Sequence, residues 1–198
     1  MDEMILETER LVLRKLEQSD FREACKLLQD PEVMYAYEGA FSDQEVQVWL
    51  DKMFRRYEND GFALWAVVEK GSGELIGQCG ITYQEYNGGW VPEVGYLFRK
   101  EFWHKGIVSE AAKAVVEQVK KDGLPYITAT HDRNNPRSGN VMQACGMKYC
   151  YTYEEQWLPK NFPVFFRMYQ LNFDGNDDFV YKKYWNLSLI HISEPTRL

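Results

Sequence analysis

"FWHKGIVSEAAKAVVEQV", Phe102 to Val119, constrains the fold more than any other stretch of the chain. A glycine in a short polar cluster opens directly into apolar residues at helical spacing: Ile107, Val108, Ala111, Ala112, Val115, Val116 and Val119. That wide stripe predicts a long helix with one buried face, ended by "DG" and Pro125. The first turn of such a helix leaves backbone N–H groups unpaired and carries the positive end of the macrodipole. Lys105 adds a cation, and Gly106 lets an anion approach the main chain. Together these are the parts of a phosphate site. A glycine before a helix is equally common where nothing binds, so the surrounding elements must decide.

Those elements form an alternating order. "RLVLRKL" (Arg10 to Leu16) alternates polar and apolar and predicts a first strand. A helix follows in "SDFREACKLLQD", with Ser19 as its expected N-cap and Phe21, Ala24, Leu27 and Leu28 on one face. A second helix starts at Ser42, where Glu45 completes a capping box, and "NDG" ends it. "FALWAVVEK", "ELIGQCGITYQEY" and "WVPEVGYLF" then read as an antiparallel meander joined by "GSG" and "NGG". After the long helix come a strand, "YITATHD", a helix from Pro136 to Cys145, and two strands, "KYCYTYEEQW" and "PVFFRMYQLNF". The fold class is α/β (α+β), a mixed sheet with helices on both faces.

Composition removes several functions. A net charge of −7 argues against broad binding to nucleic acid or anionic membrane. No apolar run is long enough to span a bilayer, and "MDEMILETER" lacks the apolar segment of a signal peptide. Cys25, Cys79, Cys145 and Cys150 form no C-x-x-C pair, so they read as free thiols of a cytoplasmic protein, with no metal site. Neither G-x-x-x-x-G-K-[ST] nor G-x-G-x-x-G occurs, which excludes a P-loop and a dinucleotide fingerprint.

Three segments carry a family resemblance. "WHKGIVSEA" resembles the Q/R-x-x-G-x-G/A segment of the GNAT superfamily of N-acetyltransferases, in the W-x-K-G-[YI]-A-[TS]-E-A form found in its ribosomal-protein N-terminal acetyltransferase-like branch. "ETERLVLRKLEQSDF" resembles the family's opening strand and helix. "NPRSGNVMQACGMKY" resembles its N-x-x-S-x-x-V-x-x-x-x-G-[FM] segment, with Asn135, Ser138, Val141 and Gly146 in place. The resemblance spans Glu7 to Asn172 and implies a mostly antiparallel sheet of about seven strands, splayed between the fourth and fifth. It implies acetyl-CoA as co-substrate, no metal, and an amine acceptor, either a protein N-terminus or a small molecule. A CoA-binding module without activity, or an antibiotic acetyltransferase, is the alternative. A monomer or homodimer is expected.

The resemblance also assigns residues. The turn of Trp103, His104, Lys105, Gly106, Ile107 and Val108 is expected to hold the pyrophosphate, although Val108 stands where the family prefers Gly or Ala and crowds the main chain. Main chain of Tyr96, Leu97 and Phe98 is expected to hold the pantetheine and acetyl carbonyl, with Gly95 easing a bulge. Asn135 and Ser138 are expected beside the pantetheine arm, Ser138 donating to the leaving sulfur, with Tyr149 or Tyr151 as substitutes. Asn135 before Pro136 is equally an ordinary helix cap.

Direct attack by the amine needs a base. Glu93 alternates with Val91, Gly95 and Leu97, which puts a carboxylate on a largely apolar strand face and suits a base or a substrate anchor. The ordinary reading is a strand-edge carboxylate paired with a lysine. Glu85, Glu154 and Glu155 sit nearer strand ends and suit the role less. Tyr35, Tyr37 and Glu38 supply rings and a negative charge for an ammonium at the acceptor pocket.

The chain is therefore expected to hold an acetyltransferase domain over 1–175 and a C-terminal extension over 176–186. "LSLIHISEPTRL" (187–198) is similar to the translation of a sequencing-library adapter and reads as an artefactual tail, the authentic chain breaking off near Asn186.

Overall fold

A computed structural model describes residues 4–36, 39–86, 89–157 and 162–181. Tyr37, Glu38 and the 187–198 segment lie outside these residues. The strands are β1 (Met4–Glu7), β2 (Leu11–Arg14), β3 (Leu64–Glu69), β4 (Leu75–Tyr86), β5 (Gly89–Phe98), β6 (Tyr126–Asp132), β7 (Lys148–Trp157) and β8 (Phe162–Asn172). The helices are α1 (Phe21–Leu28), α2 (Asp43–Asn59), α3 (Ile107–Lys121) and α4 (Pro136–Ala144).

One eight-stranded sheet runs in the order β1-β2-β3-β4-β5-β6-β8-β7. Every neighbouring pair is antiparallel except β5 and β6, which run parallel. The extra strand relative to the expected seven is β1, whose half-exposed "MILE" gives no alternation to read. It forms a hairpin with β2 through Thr8–Arg10.

The two faces of the sheet bury different helices. Leu11, Leu13, Trp65, Val67, Ile76, Val94 and Phe98 meet Ile107, Ala111, Ala112, Val115 and Val119 of α3. The intervening strand positions, with Leu16, Ala63, Ala66 and Leu75, meet Leu50 and Met53 of α2. Ala24 and Leu28 of α1 pack with Val46 of α2. Period-2 strands and period-3.6 helices thus close two apolar layers on one sheet.

Helix ends follow their local chemistry, with one correction. Ser42 and Glu45 form the expected reciprocal capping box at α2. Ser19 does not cap α1. It lies inside a 3-10 turn over Gln18–Asp20, and Asp20 precedes the helix. Asp20 accepts from the Glu17 amide at 2.8 Å and pairs with Arg14 at 2.7 Å. A paired, buried carboxylate outcompetes the serine hydroxyl for that turn.

Candidate active site

The sheet opens at its parallel pair. β5 is laddered to β4 along its whole length, from Gly77↔Phe98 to Tyr86↔Gly89. To β6, among the described residues, its ladder has the single register pair Glu93↔Thr128, and Thr128 Oγ1 donates to the Pro92 carbonyl at 2.9 Å. β6 instead pairs with β8 from Tyr126 to Asp132. Among the described residues, the ladder between β5 and β6 does not continue beyond Glu93. The splay expected between the fourth and fifth strands is this opening. The bulge expected at Gly95 is absent, because the ladder with β4 is continuous there. Gly95 instead gives room to Leu64, whose Cδ2 would lie 3.1 Å from an added Cβ.

A cavity of about 440 Å³ fills the opening. Glu93, Tyr96, Leu97 and Phe98 of β5 line one wall, and Asn135, Ser138 and Val141 of α4 line another. Trp103, His104, Gly106 and Val108 close it at the start of α3, and Tyr35 stands at its edge. Of the residues expected at the turn, Lys105 is exposed outside the cavity wall and Ile107 is buried in the core.

Two left-handed residues shape that turn: His104 at φ 61° and Gly106 at φ 73°. Gly106 precedes α3, and Glu110 N closes the first helical bond onto its carbonyl at 3.0 Å. Gly106, the N-cap residue, makes no side-chain cap bond to the first turn of α3. Val108 is half-buried against the core, and its side chain both lines the cavity and packs inward. The Trp103 indole donates to the Phe98 carbonyl at 2.8 Å, which ties the turn to the end of β5. Lys105 Nζ lies 5.2 Å from the Phe102 ring.

α4 faces β5 across the cavity. Asn135 Oδ1 accepts from Ser138 N at 3.4 Å and caps the helix, the ordinary role for that residue type. Tyr96 Oη donates to the Ser138 carbonyl at 2.8 Å and lies 3.0 Å from its hydroxyl. Tyr149 bonds Thr152 and Tyr151 bonds the Tyr181 carbonyl, and neither lines the cavity.

Glu93 points to the opposite face of β5 from Tyr96. Thr130 Oγ1 donates to its Oε2 at 3.4 Å. Its surroundings are more polar than the strand pattern implied. Its charge also reaches Arg56 of α2, whose guanidinium burial disfavours while Asp60 and Glu93 favour it. Glu85 and Glu154 are exposed, Glu155 is half-buried, and none lines the cavity. Burial raises the Tyr35 phenol, with Arg137 lowering it and Asp132 raising it.

Several cavity residues carry no role in the sequence pattern, among them Thr130, His131 and Arg137. His131 is buried, and its Nδ1 lies 2.7 Å from the Asp132 carbonyl. Period-2 spacing with Ile127 and Ala129 was the available signal for its inward face. Burial holds the imidazole below its ordinary range. Arg137 lies 5.6 Å from the Trp103 ring. All four thiols are free, and burial pushes Cys145 and Cys150 up to about 11. None is poised as a nucleophile.

A parted strand pair beside a helix start gives room for an extended ligand that ends in an anion. The chain matches the model of the acetyltransferase (GNAT) domain over residues 10–148 and belongs to that family. It is an acetyl-CoA-dependent N-acetyltransferase by class. The uncharacterized N-acetyltransferase YnaD of Bacillus subtilis is 31% identical over 147 residues, covering 73% of this chain and 83% of its own. The GNAT acetyltransferase from Bacillus anthracis superposes with a TM-score of 0.72 at 28% identity, over 86% of this chain and 99% of that one. RimL, a ribosomal L7/L12 alpha-N-protein acetyltransferase solved with coenzyme A, shares the fold with a TM-score of 0.73 at 16% identity, over 87% and 99%. Among the described residues no helix is long and apolar enough to cross a membrane, and no metal-ligating cluster occurs.

Proposed function

We propose that the cavity between β5 and β6 binds acetyl-CoA and delivers its thioester to a primary amine of a protein N-terminus or a small molecule. The diphosphate rests on the amides from Gly106 to Val108, flanked by Trp103, His104 and Lys105. The pantetheine follows β5 at Tyr96, Leu97 and Phe98, where that strand has parted from β6, with Asn135 and Ser138 on its other side. The acceptor enters from the α1/α2 face, past Tyr35, with Tyr37 and Glu38 in the adjoining segment.

The observation that carries this reading is a shared cavity. One space joins the start of α3 to the parted end of β5, with Glu93 and the Tyr96–Ser138 pair on opposite faces of that strand. In the chemistry this allows, the amine nitrogen attacks the thioester carbonyl and the C–S bond breaks. Glu93 takes the first proton from the ammonium; the second, lost by nitrogen after attack, replaces the proton that the Ser138 hydroxyl passes to the departing thiolate, so the serine is restored. Backbone amides of β5 stabilise the oxyanion. Among the described residues no cysteine lines the cavity, which favours direct attack over an acyl-cysteine route, and free thiols suit a cytoplasmic setting.

Isothermal titration with acetyl-CoA, followed by thiol release across a panel of peptides and small amines, tests this directly. Binding with release on at least one amine supports the reading. Tight binding without release on any amine overturns the catalytic half of it.

A further inference from the structure

The N-terminal hairpin reaches across the molecule to the start of α3. Glu110, in the first turn of that helix, accepts Thr8 Oγ1 at 2.6 Å and Arg10 N at 3.0 Å on one carboxylate oxygen. Its other oxygen takes Arg10 Nε and Nη2, each at 2.6 Å. The remaining guanidinium nitrogen, Nη1, donates to the Lys105 carbonyl at 3.0 Å. Arg10 is separated from both by about a hundred residues of sequence, so these bonds tie two distant segments at one turn.

We propose that Arg10 is a positioning residue for the Lys105–Val108 turn, holding the Lys105 carbonyl while cancelling the Glu110 charge, so that the turn's amides stay aimed at an anionic ligand. This rests on the diphosphate reading above. The physical need is specific. An acidic side chain in a first turn favours the helix dipole, yet it competes with an incoming phosphate for the same positive end. An adjacent guanidinium removes that competition. Gly106, at φ 73°, has no side chain of its own to hold the turn. An added Cβ there would lie 3.6 Å from Arg10 Nη2, so the guanidinium is the neighbour that borders the bend. Arg10 is 43% exposed against 19% for Glu110, which leaves the cation open to solvent and the carboxylate enclosed.

The test is isothermal titration of coenzyme A into Arg10→Met, Arg10→Lys and Arg10→Met/Glu110→Gln, with amide exchange measured on the unliganded proteins. Arg10→Met should weaken coenzyme A about ten- to a hundredfold, the scale of a lost charge-assisted contact. Faster exchange should be confined to residues 104–110, with 112–119 unchanged. The double variant should recover at least about threefold of the loss, because the uncompensated carboxylate is gone. Arg10→Lys keeps the charge without the three-way reach and should lose less, which preserves the test if the methionine variant does not fold. Affinity within about twofold of wild type in both single variants overturns the proposal. So does exchange that rises evenly through α3, or a double variant as weak as Arg10→Met. Gly106→Asp is the control: if it too leaves coenzyme A binding intact, the diphosphate reading itself has failed rather than the role of Arg10.

Discussion

Tyr96 on β5 and Ser138 on α4 share a hydrogen-bonded contact across the cavity, with the phenol donating to the serine carbonyl at 2.8 Å and its oxygen 3.0 Å from the serine hydroxyl. Once the phenol proton is committed to the carbonyl, the serine hydroxyl is the donor in the second contact. Tyr96 therefore fixes the Ser138 hydroxyl at the cavity wall, and the hydroxyl rotates its proton from the phenol oxygen to the departing sulfur when that stronger acceptor forms. Ser138→Ala should lower kcat about 10²-fold, the usual scale for a positioned acid, with the KM for acetyl-CoA moved far less. Tyr96→Phe should produce a smaller loss in the same direction. Steady-state kinetics on the amine found by the panel checks both, and an unchanged kcat in Ser138→Ala removes it as the acid.

Glu93 gives a pH-resolved prediction. A peptide N-terminus has a pKa near 8 and a lysine-type amine near 10, so below those values a base must take the proton. Glu93→Gln should cut turnover about 10²-fold below the amine's pKa and progressively less above it. Coenzyme A affinity should not change, since the carboxylate faces away from the α3 side. Parallel pH–rate profiles for the two proteins would exclude Glu93 from proton transfer.

His131 couples stability to pH. Burial is the main cause of its lowered pKa, with Arg167 adding to it and the Asp132 and Asn135 contacts opposing it. The unfolded imidazole titrates near 6.5, so below that pH the unfolded chain binds a proton that the folded chain resists. Stability should be flat in this contribution above pH 6.5 and fall as pH drops through the lowered folded value. Urea melts at pH 7.5, 6.5 and 5.5 read the slope, and His131→Leu should flatten it. An identical slope in the variant would place the dependence elsewhere.

Sequence carried the fold well where periodicity was strong. α3 with Gly106, the Ser42–Glu45 box and the β4–β5 meander all follow from spacing and turn residues alone. It failed where tertiary partners decide. Ser19 lost its cap role to an Asp20 carboxylate held by Arg14, and β1 exists because β2 offers it an edge. The site was legible in part. Gly106, Tyr96 and Ser138 line one cavity, yet nothing local announces that Tyr96 reaches Ser138, 42 positions away. Arg10 and Glu110 are likewise joined only by the fold. His131 carried a readable alternation signal, whereas Arg137 depends on how α4 is set against the turn.

The central claim is that main-chain amides at the start of α3 hold the diphosphate of acetyl-CoA. Titrating coenzyme A into Gly106→Asp tests it most directly, with a thermal melt as the control for folding. The left-handed φ of 73° at this position makes aspartate tolerable at about 1 kcal/mol, so the protein should still melt cooperatively. Coenzyme A affinity should fall at least about a hundredfold, from a carboxylate added beside the phosphates and from its pull on the Arg10 guanidinium, which would lie 3.6 Å from the new Cβ. A folded Gly106→Asp protein that binds coenzyme A as tightly as the wild type would contradict the account.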